Sequence, residues 1–323
     1  MAREEASTVR RGVAALGLCS WDRFIVTDYY PGPGEYAIVQ HQFQQAGGTT
    51  ANTCAALAKL EVPVLFASTV GDDDEGRLLV ASLANAGCDT RHIVSRPNTP
   101  TDSGIIVVSG AVGNRDRTIF WIQGAKPEIG DYLPVHELLD HEWLLLDVSD
   151  HRLRSFVLDL PAHLSPRTKL VGAMTYLSDL PRDLAWDHAL RHDVLFGNER
   201  ELRQLTGAAT TDDAIAIARH DMVGRACRVI FLTAGRNGAR ALRVGGIVEQ
   251  PAYAVEVRDT TGAGDAFVAG AIWALLERLD DVDVLKRGNA TAALTCRELG
   301  ARAAQPERAA VLELIASGRT VPA

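Results

Sequence analysis

Cysteine is scarce in this chain of 323 residues: Cys19, Cys54, Cys88, Cys227 and Cys296 are scattered, odd in number and contain no C-x-x-C pair. That argues against a disulfide framework or a zinc site and predicts a reducing cytoplasm. No apolar run approaches the roughly 18 residues that a membrane span needs. The charged start, MAREEASTVRR, has no apolar signal core behind it, so a soluble intracellular protein is expected. Positive charge is not in excess, because 33 Lys and Arg stand against 41 Asp and Glu, a net charge of −8. A basic face for nucleic acid is therefore not expected. Internal repeats and low-complexity tracts are also missing. What is present is a globular balance, 47% hydrophobic and 23% charged, which excludes disordered, collagenous and coiled-coil chains. At about 150 residues per domain the length fits two domains, or one large α/β domain with an appendage.

The pattern along the chain favours the second arrangement. Val13 to Cys19 reads as a strand ending in Ser20-Trp21-Asp22. Pro31-Gly32-Pro33-Gly34 is turn. Gly47-Gly48 opens a helix from about Thr50 to Leu60, and Val62 to Val70 is the next strand. A helix from Gly76 to Ala86 stops at Gly87. Two β-rich runs, Gly104 to Ser109 and Arg117 to Ile122, read as a hairpin. Short apolar strands follow at 144–148, 169–172, 194–196 and 229–233, most of them separated by helical stretches. Such alternation predicts a parallel sheet covered on both faces. Arg240 to Val244 and Ile247 to Val257 are β-rich, and helices are expected at about 264–278, 282–298 and 306–317.

The informative loop is Arg258-Asp259-Thr260-Thr261-Gly262-Ala263-Gly264-Asp265-Ala266-Phe267. It follows a β run and opens an amphipathic helix with apolar residues at Val268, Ile272, Leu275 and Leu279. Small residues allow close backbone approach, and the free amides of a first helical turn favour an anion. The combination suits a phosphoryl group. A carboxylate beside phosphate, Asp265, then reads as a general base for an attacking hydroxyl. An acidic residue in a first turn is otherwise an ordinary dipole partner worth about 0.3–1 kcal/mol. The flanking G-A-G and the preceding D-T-T favour the chemical role. A dinucleotide fingerprint is excluded, since the third glycine position is Phe267. A P-loop is excluded because the chain has no Gly-Lys dipeptide.

Asp259 to Phe267 resembles the C-terminal signature of the PfkB, or ribokinase-like, carbohydrate kinases. Gly47-Gly48-Thr49-Thr50-Ala51-Asn52, with Ala55-Ala56 and Val70-Gly71-Asp72-Asp73, resembles the N-terminal signature. Asn198-Glu199-Arg200-Glu201 resembles the N-x-x-E element, and Ala234 to Gly238 the nucleotide-binding turn. The resemblance runs from about residue 12 to 318. It implies a three-layer α/β/α sandwich with a mostly parallel central sheet and a small β-sheet lid. One kinase domain would span 1–323, its lid formed by about 23–45 and 103–122.

The resemblance also implies roles. The γ-phosphoryl of ATP passes to a sugar hydroxyl of ribose or ketose type, with Asp265 as base and the amides of Gly262, Ala263 and Gly264 holding the transferring group. Asn198 and Glu201 organise Mg²⁺ near the phosphates; the same pair also fits a helix cap with its Glu three residues on. Thr233, Gly235, Gly238 and Asn289 line the nucleotide. Asp22, taken as lying at a strand end, binds sugar hydroxyls with Gly48 and Asn52, while Thr49 stands where many relatives carry Lys or Asn. Asp259 and the Thr261 carbonyl match a K⁺ position, to which Thr295, Glu298 and Gly300 would add oxygens. Gly113-Asn114-Arg115 is a candidate lid residue group or a plain turn, and the lid suggests a homodimer. An acidic sugar or sugar phosphate as acceptor would need Arg23 or Arg115 at its anion. The alternatives are a nucleoside kinase and a non-catalytic sugar- or nucleotide-binding regulator. His188 and His192, at i,i+4 spacing without a Glu between them, read as structural, and Asp72 to Asp74 as a turn.

Overall fold

Alternation along the strands sorts the core into layers. Val13 and Ala15 belong to one buried cluster, Ala14 and Leu16 to another on the opposite face. A strand buried on both faces belongs inside a parallel sheet with helices on each side. The structure, a computed structural model, describes residues 10–110, 116–164, 168–177 and 180–321.

The chain begins β1 (Arg10–Gly17), β2 (Ser20–Thr27), β3 (Val39–Gly47), α1 (Thr49–Lys59), β4 (Val64–Gly71), α2 (Asp74–Asn85) and β5 (Asp89–Arg96). It continues β6 (Ser103–Ser109), β7 (Asp116–Ile122), α3 (Val135–Leu138), β8 (His141–Asp147), α4 (His151–Leu164), β9 (Lys169–Ala173) and α5 (Arg182–Leu190). Then come β10 (Val194–Asn198), α6 (Glu199–Thr206), α7 (Thr211–Asp221), β11 (Val229–Thr233), β12 (Ala239–Arg243) and β13 (Gly246–Gln250). Three helices end the chain: α8 (Ala263–Leu276), α9 (Asp281–Thr295) and α10 (Arg308–Ser317).

Nine strands form the main sheet, in the order β13-β12-β11-β10-β9-β8-β1-β4-β5. Neighbours from β11 to β5 are parallel, and β12 and β13 close one edge antiparallel. Helices α1, α2, α8, α9 and α10 share the core of one face. On the other face α5 to α7 pack over β10 and β11, and α3 and α4 over β1 and β8. A second sheet, β3-β2-β6-β7, is the lid. The three-layer sandwich with a small β lid is therefore what the chain forms.

The differences from expectation have local causes. Ser20-Trp21-Asp22 does not end the first strand. The main-sheet strand stops at Gly17, and Ser20 to Asp22 start lid strand β2, held against Gly47, Ala46 and Gln45 of β3. The β-rich run after Ile247 pairs only as far as Gln250, where Pro251 has no N–H to continue a ladder. Strand β5 was not foreseen, because as a half-exposed edge strand it carries Arg, His and Ser among its apolar residues. Gly113, Asn114 and Arg115 lie outside the described residues.

Helix α8 is not amphipathic in the expected way. It is buried on nearly every side, and Leu279 lies beyond its end. Phe267 packs edge-on against Phe196 of β10, with ring centroids 6.2 Å apart. Small residues let α9 come close on the other side: a Cβ on Gly270 would lie 2.4 Å from the Thr291 hydroxyl and 2.6 Å from the Arg287 carbonyl. Gly270→Val is therefore expected to destabilise the protein by about 1–3 kcal/mol or more, read as a lower urea midpoint at unchanged slope.

Candidate active site

The site forms where the lid faces the C-terminal ends of β8, β9, β10 and β11. A cavity of about 400 Å³ lies there, walled by both sheets and by the first turns of α1 and α8. Ligand sites of open parallel sheets gather at such strand ends.

Two glycines set the starts of the two helices. Gly48 precedes α1 with φ +89°, and a Cβ on it would lie 2.5 Å from Cys19 Cα. Gly262 precedes α8 with φ +77°, and its Cβ would lie 2.7 Å from Ala301 Cβ. Neither place admits a side chain. Gly264, in contrast, has nothing within 4 Å of an added Cβ and lines the cavity, so the first turn of α8 stays open on that side. The Ala263 N–H departs from expectation: it donates to Thr260 O at 3.2 Å and is spent on the turn.

Asp265 lines the cavity from this first turn. Asn52 Nδ2 of α1 donates to its Oδ2 at 2.9 Å, and Thr53 Oγ1 donates to its backbone carbonyl at 3.3 Å. Burial pushes the Asp265 carboxyl up to about 7, helped by the Asp147 charge and opposed by Asn52, Arg117 and Arg302. A carboxylate that exchanges its proton near neutrality is suited to proton transfer.

Asp22 enters from the lid, on β2, and not from a main-sheet strand end. Ser20 Oγ donates to its Oδ1 at 2.8 Å. Glycines on both neighbouring strands make room for it: a Cβ on Gly47 would lie 1.9 Å from Asp22 Oδ2, and one on Gly104 3.0 Å from Oδ1. Burial raises its pKa to about 6.

The Asn198–Glu201 pair satisfies both of its readings. Asn198 Oδ1 accepts from the Glu201 N–H and Glu201 Oε2 from the Asn198 N–H, each at 2.9 Å. This is a capping box on α6, and both residues also line the cavity. Thr233 lines it too, its hydroxyl donating to Gly197 O at 3.3 Å.

Other expected residues stand apart from this cavity wall. Gly235 begins a 3-10 turn at φ +56° with open space around it. Gly238 is a close-approach glycine, where a Cβ would lie 2.1 Å from Gln250 O. Asn289 straps α9 to the end of β13, with Nδ2 donating to Gln250 O (2.9 Å) and Pro251 O (3.1 Å). Both amide hydrogens serve this strap. Asp259 is likewise committed. Its Oδ1 accepts from the Thr261 N–H (2.9 Å) and hydroxyl (2.7 Å), and its Oδ2 from the Gly300 N–H (2.8 Å). These donors hold the carboxylate at the position expected for K⁺. Among the described residues no group of three or more His, Cys, Asp and Glu could hold a metal ion. Asp73 caps α2 through the Gly76 N–H, and His188 and His192 are buried.

Several wall residues escaped the sequence reading. Asp102 accepts from Trp121 Nε1 at 3.0 and 2.9 Å and from the Gly124 N–H at 2.9 Å. Asp147, at the end of β8, accepts the Thr49 hydroxyl at 2.7 Å, while its buried Oδ1 has no hydrogen-bond partner. Thr49 thus serves this carboxylate. Arg117 of β7 is the only Lys or Arg among the described lining residues, and it donates to Thr260 Oγ1 at 2.9 Å. The one available signal was period-2 alternation in β7, which puts Arg117, Ile119 and Trp121 on one face. Arg23, by contrast, turns out to Glu75 at 2.9 Å.

A helix end open to an anion, a carboxylate that burial raises to about 7 and a small sheet over both suit phosphoryl transfer to an alcohol. Residues 10–308 match the pfkB family of carbohydrate kinases. The chain belongs to that family and is a sugar kinase, transferring a phosphoryl group to a hydroxyl. It is 27% identical to a ribokinase of Haemophilus influenzae, covering 95% of this chain and 99% of that protein. It is 32% identical to an ATP-dependent ribose-1-phosphate kinase of Halopiger xanaduensis, over 90% of this chain and 94% of the other. The Arabidopsis thaliana ribokinase, solved with ribose and ATP, shares the fold with a TM-score of 0.79 at 24% identity, covering 94% of this chain and 98% of the other. No described helix is long and apolar enough to cross a membrane.

The raised Asp265 pKa has a stability consequence. Its folded value, about 7, lies above the ordinary aspartate value near 3.9. The folded state therefore holds this proton more tightly, and stability falls as pH rises from about 4 to about 7. Asp265→Asn removes that loss. Its melting temperature should match wild type near pH 4 and exceed it increasingly up to pH 7, then by a constant margin. Parallel melting curves across this range would count against the burial argument.

Proposed function

We propose that the protein transfers the γ-phosphoryl group of ATP to a hydroxyl of a ribose-type sugar, ribose, deoxyribose or a related ketose, with Asp265 as general base. The observation that carries the reading is Asp265 itself, at the open first turn of α8 and held by Asn52 in the cavity. The ionised carboxylate takes the hydroxyl proton as the sugar oxygen bonds to the γ-phosphorus. The bond to the β–γ bridging oxygen breaks, and ADP leaves. Amides around Gly264 and the dipole of α8 stabilise the transferring group, and Arg117 brings a positive charge from the lid.

The wall near β8 and α6 is acidic, with Asp147, Glu201 and Asp265 in one cavity and Asp147 Oδ1 lacking a partner. That charge fits a cation beside the phosphates. Asn198 and Glu201 would hold Mg²⁺, largely through its waters, and the bound ion would neutralise phosphate charge. The triphosphate then runs from Gly264 toward Thr233, with the nucleotide beyond it along Gly235 and Gly238.

Asp22 and Asp102 sit at the lid end, where hydroxyls donate to carboxylates in charge-assisted bonds. Like-charge repulsion there favours an uncharged acceptor over a sugar phosphate. Trp121 and Tyr176, with ring centroids 6.2 Å apart, wall the same cavity. This aromatic pair supports the second reading, a nucleoside acceptor whose base packs on them. The buried thiols, all free, support work in the cytoplasm.

The test is ADP release over ribose, deoxyribose, ketoses, ribose 1-phosphate and nucleosides. Turnover is expected with a neutral pentose or ketose. Asp265→Asn should lower kcat by about 10²–10⁴-fold, and wild-type kcat/KM should fall about tenfold per pH unit below about 7, as expected for a base with that pKa. Tight binding with no turnover on the whole panel would favour a regulator instead.

The lid also supports a homodimer. Its outer face carries Ile25, Ile105, Val107, Phe120 and Ile122, none of them buried. A contiguous apolar sheet face of this kind suits a second copy of itself. Sedimentation should show a dimer that Phe120→Glu converts to monomer; a monomeric wild type at micromolar concentration would refute it.

A further inference from the structure

The segment between α9 and α10 is tied to the site at several points. Gly300 N–H holds Asp259, Ala301 backs Gly262, and Gln305 Nε2 donates to the Asn52 backbone carbonyl at 2.9 Å. Between them, Arg302 reaches inward. Its Nε donates to Asn52 Oδ1 at 2.9 Å, its Nη2 to Gly47 O at 3.3 Å and its Nη1 to Ser82 Oγ at 3.5 Å. It forms no ion pair among the described residues. The thiols that share its surroundings, Cys19, Cys54 and Cys88, are kept neutral by burial. Asp22 favours its charge from a distance, but no carboxylate bonds to it, and an inward guanidinium without a bonded carboxylate is costly.

We propose that Arg302 is a positioning residue for phosphoryl transfer: it fixes the Asn52 amide so that the N–H end, and not the oxygen, faces Asp265. The two ends of a carboxamide have nearly the same shape, and their neighbours decide which way it points. Asn52 touches a donor on one side, Arg302, and an acceptor on the other, Asp265. If the amide flipped, its oxygen would face Asp265 Oδ2. Two acceptors are compatible there only when Asp265 carries a proton and cannot act as a base. Arg302 therefore selects the amide orientation that stabilises the ionised base.

The charged groups that act on Asp265 are few. Asp147 on β8 opposes its ionisation, while Arg117 on the lid strand β7 and Arg302 favour it. Arg117 comes from the small sheet, on β7. Arg302 belongs to the body, in the segment between α9 and α10. The same guanidinium holds Gly47 O, the last residue of lid strand β3, so it also links the end of that strand to the base.

The inference rests on Asp265 being the base, and its test separates the two ideas. Arg302→Met should lower kcat roughly 10–100-fold with KM for ATP within about twofold, and move the acid limb of the kcat profile up by about one pH unit. In an Asn52→Ala background the same substitution should cost less than about threefold further, because its route is already cut. A folded Arg302→Met protein with the wild-type limb, or equal losses in both backgrounds, would overturn the proposal. Should the Met variant fail to fold, Arg302→Lys carries the test. It keeps the charge with a different donor geometry, and is expected to hold the acid limb within about half a unit of wild type while losing kcat. A Lys variant at full kcat overturns the proposal. Wild-type protein silent on every acceptor would defeat the proposed function alone. Arg302 would then be judged by carbon-13 NMR titration of the Asp265 carboxyl, whose midpoint must rise by about one unit in the Met variant and stay within about half a unit of wild type in the Lys variant.

Discussion

One hydrogen bond joins the two halves of the site. Asn52 and Asp265 stand 213 positions apart in the chain, yet Nδ2 and Oδ2 meet at 2.9 Å. They can meet because α1 and α8 lie side by side and both begin at the cavity. Each start depends on a left-handed glycine pressed against neighbouring backbone, Gly48 on Cys19 and Gly262 on Ala301. Small side chains along α8 then let α9 close behind it. The tight helical packing is thus what places a carboxylate and its amide partner at one point.

That placement sets stability against chemistry. Asp22, Asp102, Asp147 and Asp265 share one small cavity, and burial is the first cause raising the pKa of each. A protein selected for stability alone would not gather them. The structure relieves the conflict with donors: Ser20 on Asp22, Trp121 and Gly124 on Asp102, Thr49 on Asp147, Asn52 on Asp265. Asp147 Oδ1 is left without one.

The lid divides its two faces by the same alternation that divides the main sheet. Asp22, Arg117 and Trp121 look into the cavity, whereas Ile25, Val107 and Phe120 look away. A strand slipped by one residue would exchange these sets. Pairing Asp22 with Gly104 and Gly104 with Trp121 puts a glycine between two large polar partners, and so leaves room for a substrate under the lid.

Much of this was legible in the chain before folding. Wholly apolar runs such as Val229 to Thr233 announce buried parallel strands, since only strands covered on both faces can be apolar throughout. The G-A-G before Asp265 announces a helix start that a ligand can approach. Edge elements were harder: β5 mixes Arg and His with its apolar residues, so no period stands out. Asp22 was identified as a residue but misplaced, because a strand leaving the sheet and one ending in it look alike over three residues. Asp259 and Asn289 also bond to Gly300 and Gln250, partners about 40 positions away that the local pattern does not reveal. Arg302 and Asp147 gave no local signal, and Arg117 only the period-2 alternation of β7. Local sequence determines periodicity, turns and helix starts, which depend on neighbours within a few residues. Which carboxylate is buried, which amide faces it and which arginine holds that amide depend on contacts across 200 positions and more, and only tertiary packing decides those.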